Sequence, residues 1–265
     1  MSDHILSEIR DGVGTITLNR PEVMNAFSPE LIDGMVKTTF AFERDDAVRC
    51  VVLRGAGDHF VAGGNPKGFI DRMDADRATF VDGAEQRVVH AHLMVHRLRR
   101  MRKPVIVAVQ GATAGFGFSL VCAADYVIAA DNAYFAPAYT RIGLPGDGGV
   151  SYFLPRIVGE RRALEIILLG ERIEVAKAFE WGLVNRHVPL ASLEDETSKL
   201  ARRFARGPTL ALGLAKHLVR GSLDRTWDEQ SALEANFVTE AVDSADHREG
   251  LLAFVEKRAP KFIGQ

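Results

Sequence analysis

The sequence predicts an α/β fold in which strands and helices alternate through the first half and helices alone complete the chain. Three observations carry this. Residues 5–9 and 13–19 alternate apolar and polar side chains on either side of Asp11-Gly12, as expected for an antiparallel hairpin with one covered face. Val105-Ile106-Val107-Ala108-Val109 is a continuous apolar run, the pattern of a strand buried on both faces. It passes through Gly111, Gly115 and Gly117 into Phe118, Leu120, Val121 and Ala124 at helical spacing. Beyond Gly149 the helical spacing persists almost to the end. It breaks at Gly159, Gly170, Gly182, Gly207-Pro208 and Gly221 and admits one short strand, 184–189.

Taken in order, Arg20-Pro21 ends the hairpin, and Asn25-Ala26-Phe27 leads to Ser28-Pro29-Glu30. Ser28 is the expected N-cap and Pro29 the first helical residue of a helix running to about Arg44. Residues 48–54 form a second buried strand. The loop Gly55-Ala56-Gly57-Asp58-His59 follows it, then Phe60-Val61-Ala62-Gly63-Gly64-Asn65-Pro66 with a second glycine pair. Residues 76–101 read as one long helix carrying Val88, His92, Val95 and His96 among many arginines, and 126–130 as another short strand. The stretch 135–149 is dense in turn formers, so it is expected to be irregular backbone at the surface or lining a cleft, and it contains Asp147.

With 265 residues, 47% of them hydrophobic, the chain suffices for one large domain, or one domain with a helical appendage. A soft boundary at Gly207-Pro208 would divide a core, 1–206, from a helical region, 207–265. The near balance of 33 Lys and Arg against 35 Asp and Glu argues against nucleic acid or an anionic membrane as a partner. Cys50 and Cys122 lie inside apolar runs and read as reduced structural thiols, not as a disulfide or metal site. No secretion signal is apparent, and no apolar run approaches the ~20 residues needed to span a bilayer, so a cytoplasmic enzyme is expected.

The glycine turn after 105–109 aims backbone N–H groups outward, where they suit an anionic oxygen. It does not fit a dinucleotide fingerprint: Gly115 and Gly117 would be its first two glycines, but Leu120 stands at the third. There is no P-loop Gly-Lys-Ser/Thr and no Gly-x-Ser-x-Gly elbow. Instead two loops, Ala62-Gly63-Gly64 and Gly115-Phe116-Gly117, each follow a buried strand and each present a bare N–H. Two such donors converging on one point make an oxyanion hole.

Further residues complete a pattern. They are Asn19-Arg20-Pro21 with Asn25-Ala26-Phe27, Phe60 to Gly64, Lys103-Pro104-Val105 with Gly111-Ala112, and Ala123-Ala124-Asp125. Phe135, Arg141-Ile142-Gly143-Leu144, Leu154-Pro155-Arg156-Ile157-Val158-Gly159, Trp181-Gly182-Leu183-Val184, and Glu249-Gly250 through Phe254 to Lys257-Arg258 continue it. In order and spacing they resemble the crotonase (enoyl-CoA hydratase/isomerase) superfamily nearly end to end. The resemblance implies a spiral of ββα units with a C-terminal helical region that serves oligomerisation and the CoA site, assembled as a homotrimer or homohexamer. It implies an acyl-CoA thioester substrate, with coenzyme A arriving as part of the substrate and no permanently bound cofactor or metal. It also implies an oxyanion hole formed by the N–H groups of Gly64 and Phe116. CoA would lie against backbone near Met24, Ala26, Ala62 and Gly64, with Lys257 near the phosphates, although Lys257 and Arg258 fit a solvated helix end equally well.

Departures from the family pattern decide the chemistry. The two positions where hydratases carry glutamates hold Ser119 and Tyr139, neither of which is a carboxylate base. Asp147, in Gly146-Asp147-Gly148-Gly149, matches the working aspartate of ring-epoxyphenylacetyl-CoA isomerases and 4-chlorobenzoyl-CoA dehalogenases. A turn or N-cap role is its bland alternative. His92 matches the dehalogenase histidine and Tyr139 an aromatic residue that supports its aspartate. The expected activity is isomerase-type, with Asp147 as acid/base. The alternatives are aroyl-CoA chemistry with Asp147 as nucleophile and His92 as base, and a CoA-ester or RNA-binding relative without catalysis. For the last, the basic cluster Arg97, Arg99, Arg100, Arg102 and Lys103 is short.

Overall fold

The computed structural model describes residues 4–265. Strands β1 (Ile5–Arg10) and β2 (Val13–Leu18) form the expected hairpin. Asp11 (φ 53°) and Gly12 (φ 80°) both occupy the left-handed region, the conformation a two-residue turn needs to match strand twist. Helix α1 (Pro29–Arg44) begins as expected, with the Leu31 N–H donating to Ser28 Oγ at 3.2 Å and Pro29 at the first position. Strand β3 (Cys50–Gly55) follows, then α2 (Pro66–Ala75), α3 (Arg77–Asp82) and α4 (Ala84–Arg100).

The continuous helix expected over 76–101 is therefore two helices. Asp76 caps α3 by accepting from the Thr79 N–H at 3.0 Å, and Gly83, a poor helix former, separates α3 from α4. Strand β4 (Val105–Val109), β5 (Ala112–Ala114), α5 (Phe116–Ala123), β6 (Tyr126–Ala130) and β7 (Tyr134–Ala136) come next. Then follow α6 (Val150–Val158), α7 (Glu160–Leu169), β8 (Ile173–Glu174), α8 (Val175–Glu180) and β9 (Arg186–Val188). Helices α9 (Leu193–Ala205), α10 (Thr209–Gly221), α11 (Trp227–Val242) and α12 (Ala245–Val255) end the chain.

Six strands form one sheet in the order β1-β2-β3-β4-β6-β9, parallel after the first pair, and β5-β7-β8 form a second. The unbroken apolar runs of β3, β4 and β6 reflect burial on both faces. Val51, Leu53, Val105, Val107, Val109, Val127 and Ala129 join the main core beneath α1, α4 and α5. Their alternating neighbours Cys50, Val52, Ile106, Ala108, Ile128 and Ala130 pack with α9 residues Ala201 and Ala205 on the other face. Both cysteines are free and buried, and burial pushes the Cys122 thiol up to about 12.

Helix α10 is fastened to this core by ions. Lys216 Nζ lies 2.7 Å from Asp125 and donates to the carbonyls of Leu98 and Lys103, while Arg220 pairs with Asp125 and donates to the Ala123 carbonyl. Burial lowers the Lys216 ammonium to about 8. Among the described residues no helix is long and apolar enough to cross a membrane.

Candidate active site

The two glycine loops are zipped together by backbone. Val61 bridges Thr113 in parallel, with the Val61 N–H donating to Ala112 O at 3.1 Å and the Ala114 N–H donating to Val61 O at 2.9 Å. Contact this close requires glycine. A Cβ on Gly117 would sit 2.2 Å from Val61 Cγ1, and one on Gly63 (φ 87°) would sit 2.8 Å from Ala114 O. Gly64 and Phe116 therefore emerge side by side from the ends of paired segments. Phe116 opens α5, so its N–H has no carbonyl behind it within the helix, and the Gly64 N–H takes no backbone carbonyl among the described residues.

A third segment straps this pair. The Ala62 N–H donates to Met24 O and the Phe27 N–H to Gly63 O, each at 2.9 Å. Met24 (φ 52°) and Asn25 (φ 57°) are both left-handed, a conformation that asparagine tolerates better than most side chains. Asn25 is fully buried, and its Nδ2 lies 2.9–3.1 Å from the carbonyls of Ala56, His59 and Phe60. Its Oδ1 accepts from the Arg20 N–H at 2.8 Å. One side chain thus ties the Met24–Ala26 turn to the strand that ends at the first glycine loop.

Asp147 lies in a turn packed against α5, where Gly146, Gly148 and Gly149 all have positive φ. Three side chains from three segments hold this turn. Tyr139 Oη donates to Asp147 Oδ1 at 2.8 Å. Ser119 Oγ, on α5, donates to the Asp147 main-chain oxygen at 2.8 Å and lies 2.9 Å from Tyr139 Oη. The Gly148 N–H donates to His92 Nε2, on α4, at 3.0 Å. A backbone N–H can only donate, so His92 Nε2 is the acceptor and the neutral ring carries its proton on Nδ1.

Desolvation raises the Asp147 carboxyl above the ordinary aspartate value, while the Tyr139 hydroxyl acts in the opposite direction. Burial, reinforced by the adjacent carboxylate, pushes Tyr139 far up, so its hydroxyl stays protonated and serves as a donor. Helix α5 joins the two halves: Phe116 and Ser119 lie one turn apart on it. The Phe116 ring stacks on His92 with centroids 6.5 Å apart and meets Phe27 edge-on at 5.2 Å.

The structure thus gathers Gly64, Phe116, Met24, Ala26 and Ala62 in one group and Asp147, Tyr139 and His92 in another, both in contact with the start of α5. Lys257 stands apart, exposed just beyond α12 with φ 54°, and no hydrogen bond or ion pair links its side chain to either group among the described residues. Its neighbour Arg258 is committed elsewhere, to Glu249 and Glu256 at 2.6–2.8 Å. Two residues matter more than the sequence reading foresaw. Ser119, noted there for the glutamate it is not, is a fully buried hydrogen-bonding partner of the aspartate turn. Asn25 anchors the third strap, and its signal was a polar side chain of turn-forming type between two loop residues.

The enoyl-CoA hydratase/isomerase family model matches residues 8–265, and the chain belongs to that family. The expected α/β architecture, a spiral of ββα units followed by helices, is that of its structural neighbours. One of them, an enoyl-CoA hydratase from Polaromonas sp. JS666, aligns over 97% of this chain and 99% of its own with a TM-score of 0.90 and 33% identity. Among curated relatives, the 1,2-epoxyphenylacetyl-CoA isomerase of Escherichia coli (strain K12) is 39% identical over 265 residues, all of both chains. The 4-chlorobenzoyl coenzyme A dehalogenase-1 of an Arthrobacter sp. is 33% identical over 97% of this chain and 92% of its own. Both agree with the likeness read from the aspartate motif.

Proposed function

We propose that the protein is an acyl-CoA thioester enzyme of the enoyl-CoA isomerase type. The observation that carries this reading is the Asp147 turn: one carboxylate is held beside α5, and hydroxyls occupy the two positions expected to be glutamate in a hydratase. In this reading the thioester oxygen accepts from the N–H groups of Gly64 and Phe116. Asp147 takes the α-proton, the C–H electron pair delocalises onto the thioester oxygen as a dienolate, and the same carboxyl returns the proton at the γ-carbon as the double bond moves into conjugation. Nothing is gained or lost overall. The raised Asp147 pKa brings the base nearer its operating range, and each backbone donor to the oxyanion contributes on the order of 3 kcal/mol.

In the same reading CoA runs along the backbone of Met24, Ala26 and Ala62, and Lys257 reaches its phosphates in an assembled trimer or hexamer in the cytoplasm. The apolar side chains left exposed on α11 and α12, Val238, Val242, Leu251 and Phe254, support burial of this helical region against other copies. Against the aroyl-CoA alternative stands the use His92 makes of its Nε2 lone pair. It is spent on the Gly148 N–H, which supports a positioning role and not that of a base.

The test is Asp147→Asn. Binding of a CoA thioester should persist, measured by calorimetry, while turnover of β,γ-enoyl-CoA and exchange of its α-protons in heavy water fall to background. Unchanged turnover refutes the reading.

A further inference from the structure

We propose that Ser119, which pins the Asp147 main chain, and Tyr139, which occupies Oδ1, are positioning residues that together leave a single oxygen of Asp147, Oδ2, to carry the proton out and back. This rests on the isomerase reading and adds to it which carboxylate oxygen works.

Asp147 is gripped at two atoms. Ser119 Oγ donates to its main-chain oxygen and Tyr139 Oη to its Oδ1, and the two hydroxyls lie 2.9 Å apart, closing a ring of three contacts. Ser119 is fully buried and Tyr139 is 5% exposed, so no water competes for these hydroxyls. The ring also fits its site without slack. A Cβ on Gly148 would lie 2.6 Å from Ser119 Cβ and 3.0 Å from the Phe116 ring, so the turn rests directly on α5. Two hydroxyl protons are shared over three contacts when the carboxylate is ionised. Tyr139 spends its proton on Oδ1 and Ser119 spends its own on the main chain, so the Tyr139 oxygen has no firm donor of its own.

With Oδ1 occupied and the backbone pinned, the carboxylate cannot rotate to exchange its oxygens. Oδ2 receives no hydrogen bond among the described residues. A proton removed from the α-carbon therefore forms an O–H bond to Oδ2 as the C–H bond breaks. It leaves from the same oxygen to the γ-carbon, on the same face of the acyl group, before water can replace it.

The probe is a β,γ-hexenoyl-CoA deuterated at the α-carbon and turned over in ordinary water. The wild-type protein is expected to deliver label to the γ-carbon. Ser119→Ala removes the hydrogen bond that pins the Asp147 main-chain oxygen while keeping the Cβ on which Gly148 rests. It should lower kcat roughly 10- to 100-fold with little change in KM, the scale of a misplaced reacting group, and release most of the label to solvent. Tyr139→Phe, which removes the grip on Oδ1 directly, should lose label in the same way. It should also move the acid limb of kcat/KM to higher pH. The hydroxyl that favours the ionised carboxylate is then absent while the burial that raises its pKa remains, and Ser119 from α5 and His92 from α4 still hold the main chain of the turn. A general structural disturbance would lower kcat without moving that limb. Ser119→Ala and Tyr139→Phe proteins that keep wild-type label transfer and pH profile would overturn the proposal. Asp147→Asn separates the two claims: if it turns over normally the isomerase reading fails, and if it alone is inactive only the one-oxygen arrangement fails.

Discussion

The two halves of the site are built from different materials. The half around Gly64 and Phe116 is made of backbone: N–H groups, a parallel bridge at Val61 and Thr113, and glycines where a side chain would collide. The half around Asp147 is made of side chains, with Tyr139, Ser119 and His92 each contributing one hydrogen bond to a turn of left-handed glycines. A backbone half tolerates changes of side chain but not of shape, whereas a side-chain half can be re-specified residue by residue; under the isomerase reading the first serves any thioester and the second chooses the reaction.

Breaking the backbone half should cost most. Gly117→Ala drives a methyl group into Val61 and pushes the two loops apart. Overpacking of this kind costs roughly 1–3 kcal/mol of stability, and a displacement near 1 Å costs about 100-fold in turnover. Thermal melting and steady-state assays measure the two effects, and a fully active Gly117→Ala protein would show that the loops are not held by close contact.

An intermediate effect is expected on the side-chain half. His92→Leu leaves the buried Gly148 N–H without its acceptor, at about 1–3 kcal/mol, whereas His92→Gln offers an amide oxygen in its place and should retain more activity. If both variants are equally inactive, the ring acts as a base and not as a support.

The smallest effect concerns stability alone and has the opposite sign. An aspartate whose folded pKa lies above its unfolded value is best tolerated when protonated. Its stabilising contribution is therefore complete below the ordinary value near 3.8 and is lost as pH rises through the raised folded pKa. Asp147→Asn removes that loss. The variant should melt slightly above the parent at neutral pH, and the gap should close on acidification. A parent that melts higher at neutral pH would show that the carboxylate is stabilised where it sits.

The backbone half was largely legible in the sequence because glycine pairs after apolar runs announce both a turn and a bare donor. The strands at 105–109 and 126–130 coincided with the observed bounds, since a continuous apolar run has few ways to be buried. The helix over 76–101 was read too long. Its start at Asp76 agrees with the cap of α3, but apolar and charged residues continue the helical pattern across Gly83, where α3 ends and α4 begins. In the side-chain half the identity of Asp147 was legible, but its surroundings were not. Ser119, Tyr139 and His92 come from three separated segments, and nothing local to any of them encodes the distances that close the ring.

The seating of Gly148 on Ser119 also bears on how such enzymes diverge. A glutamate at position 119 would need room for a carboxylate where Tyr139 Oη and the Asp147 carbonyl now lie, and the turn has already closed to the distance at which even a β-carbon on Gly148 does not fit. Installing a water-activating glutamate there requires the aspartate turn to move away first. Under the isomerase reading, a change toward hydratase chemistry at position 119 therefore calls for a compensating change in the aspartate turn.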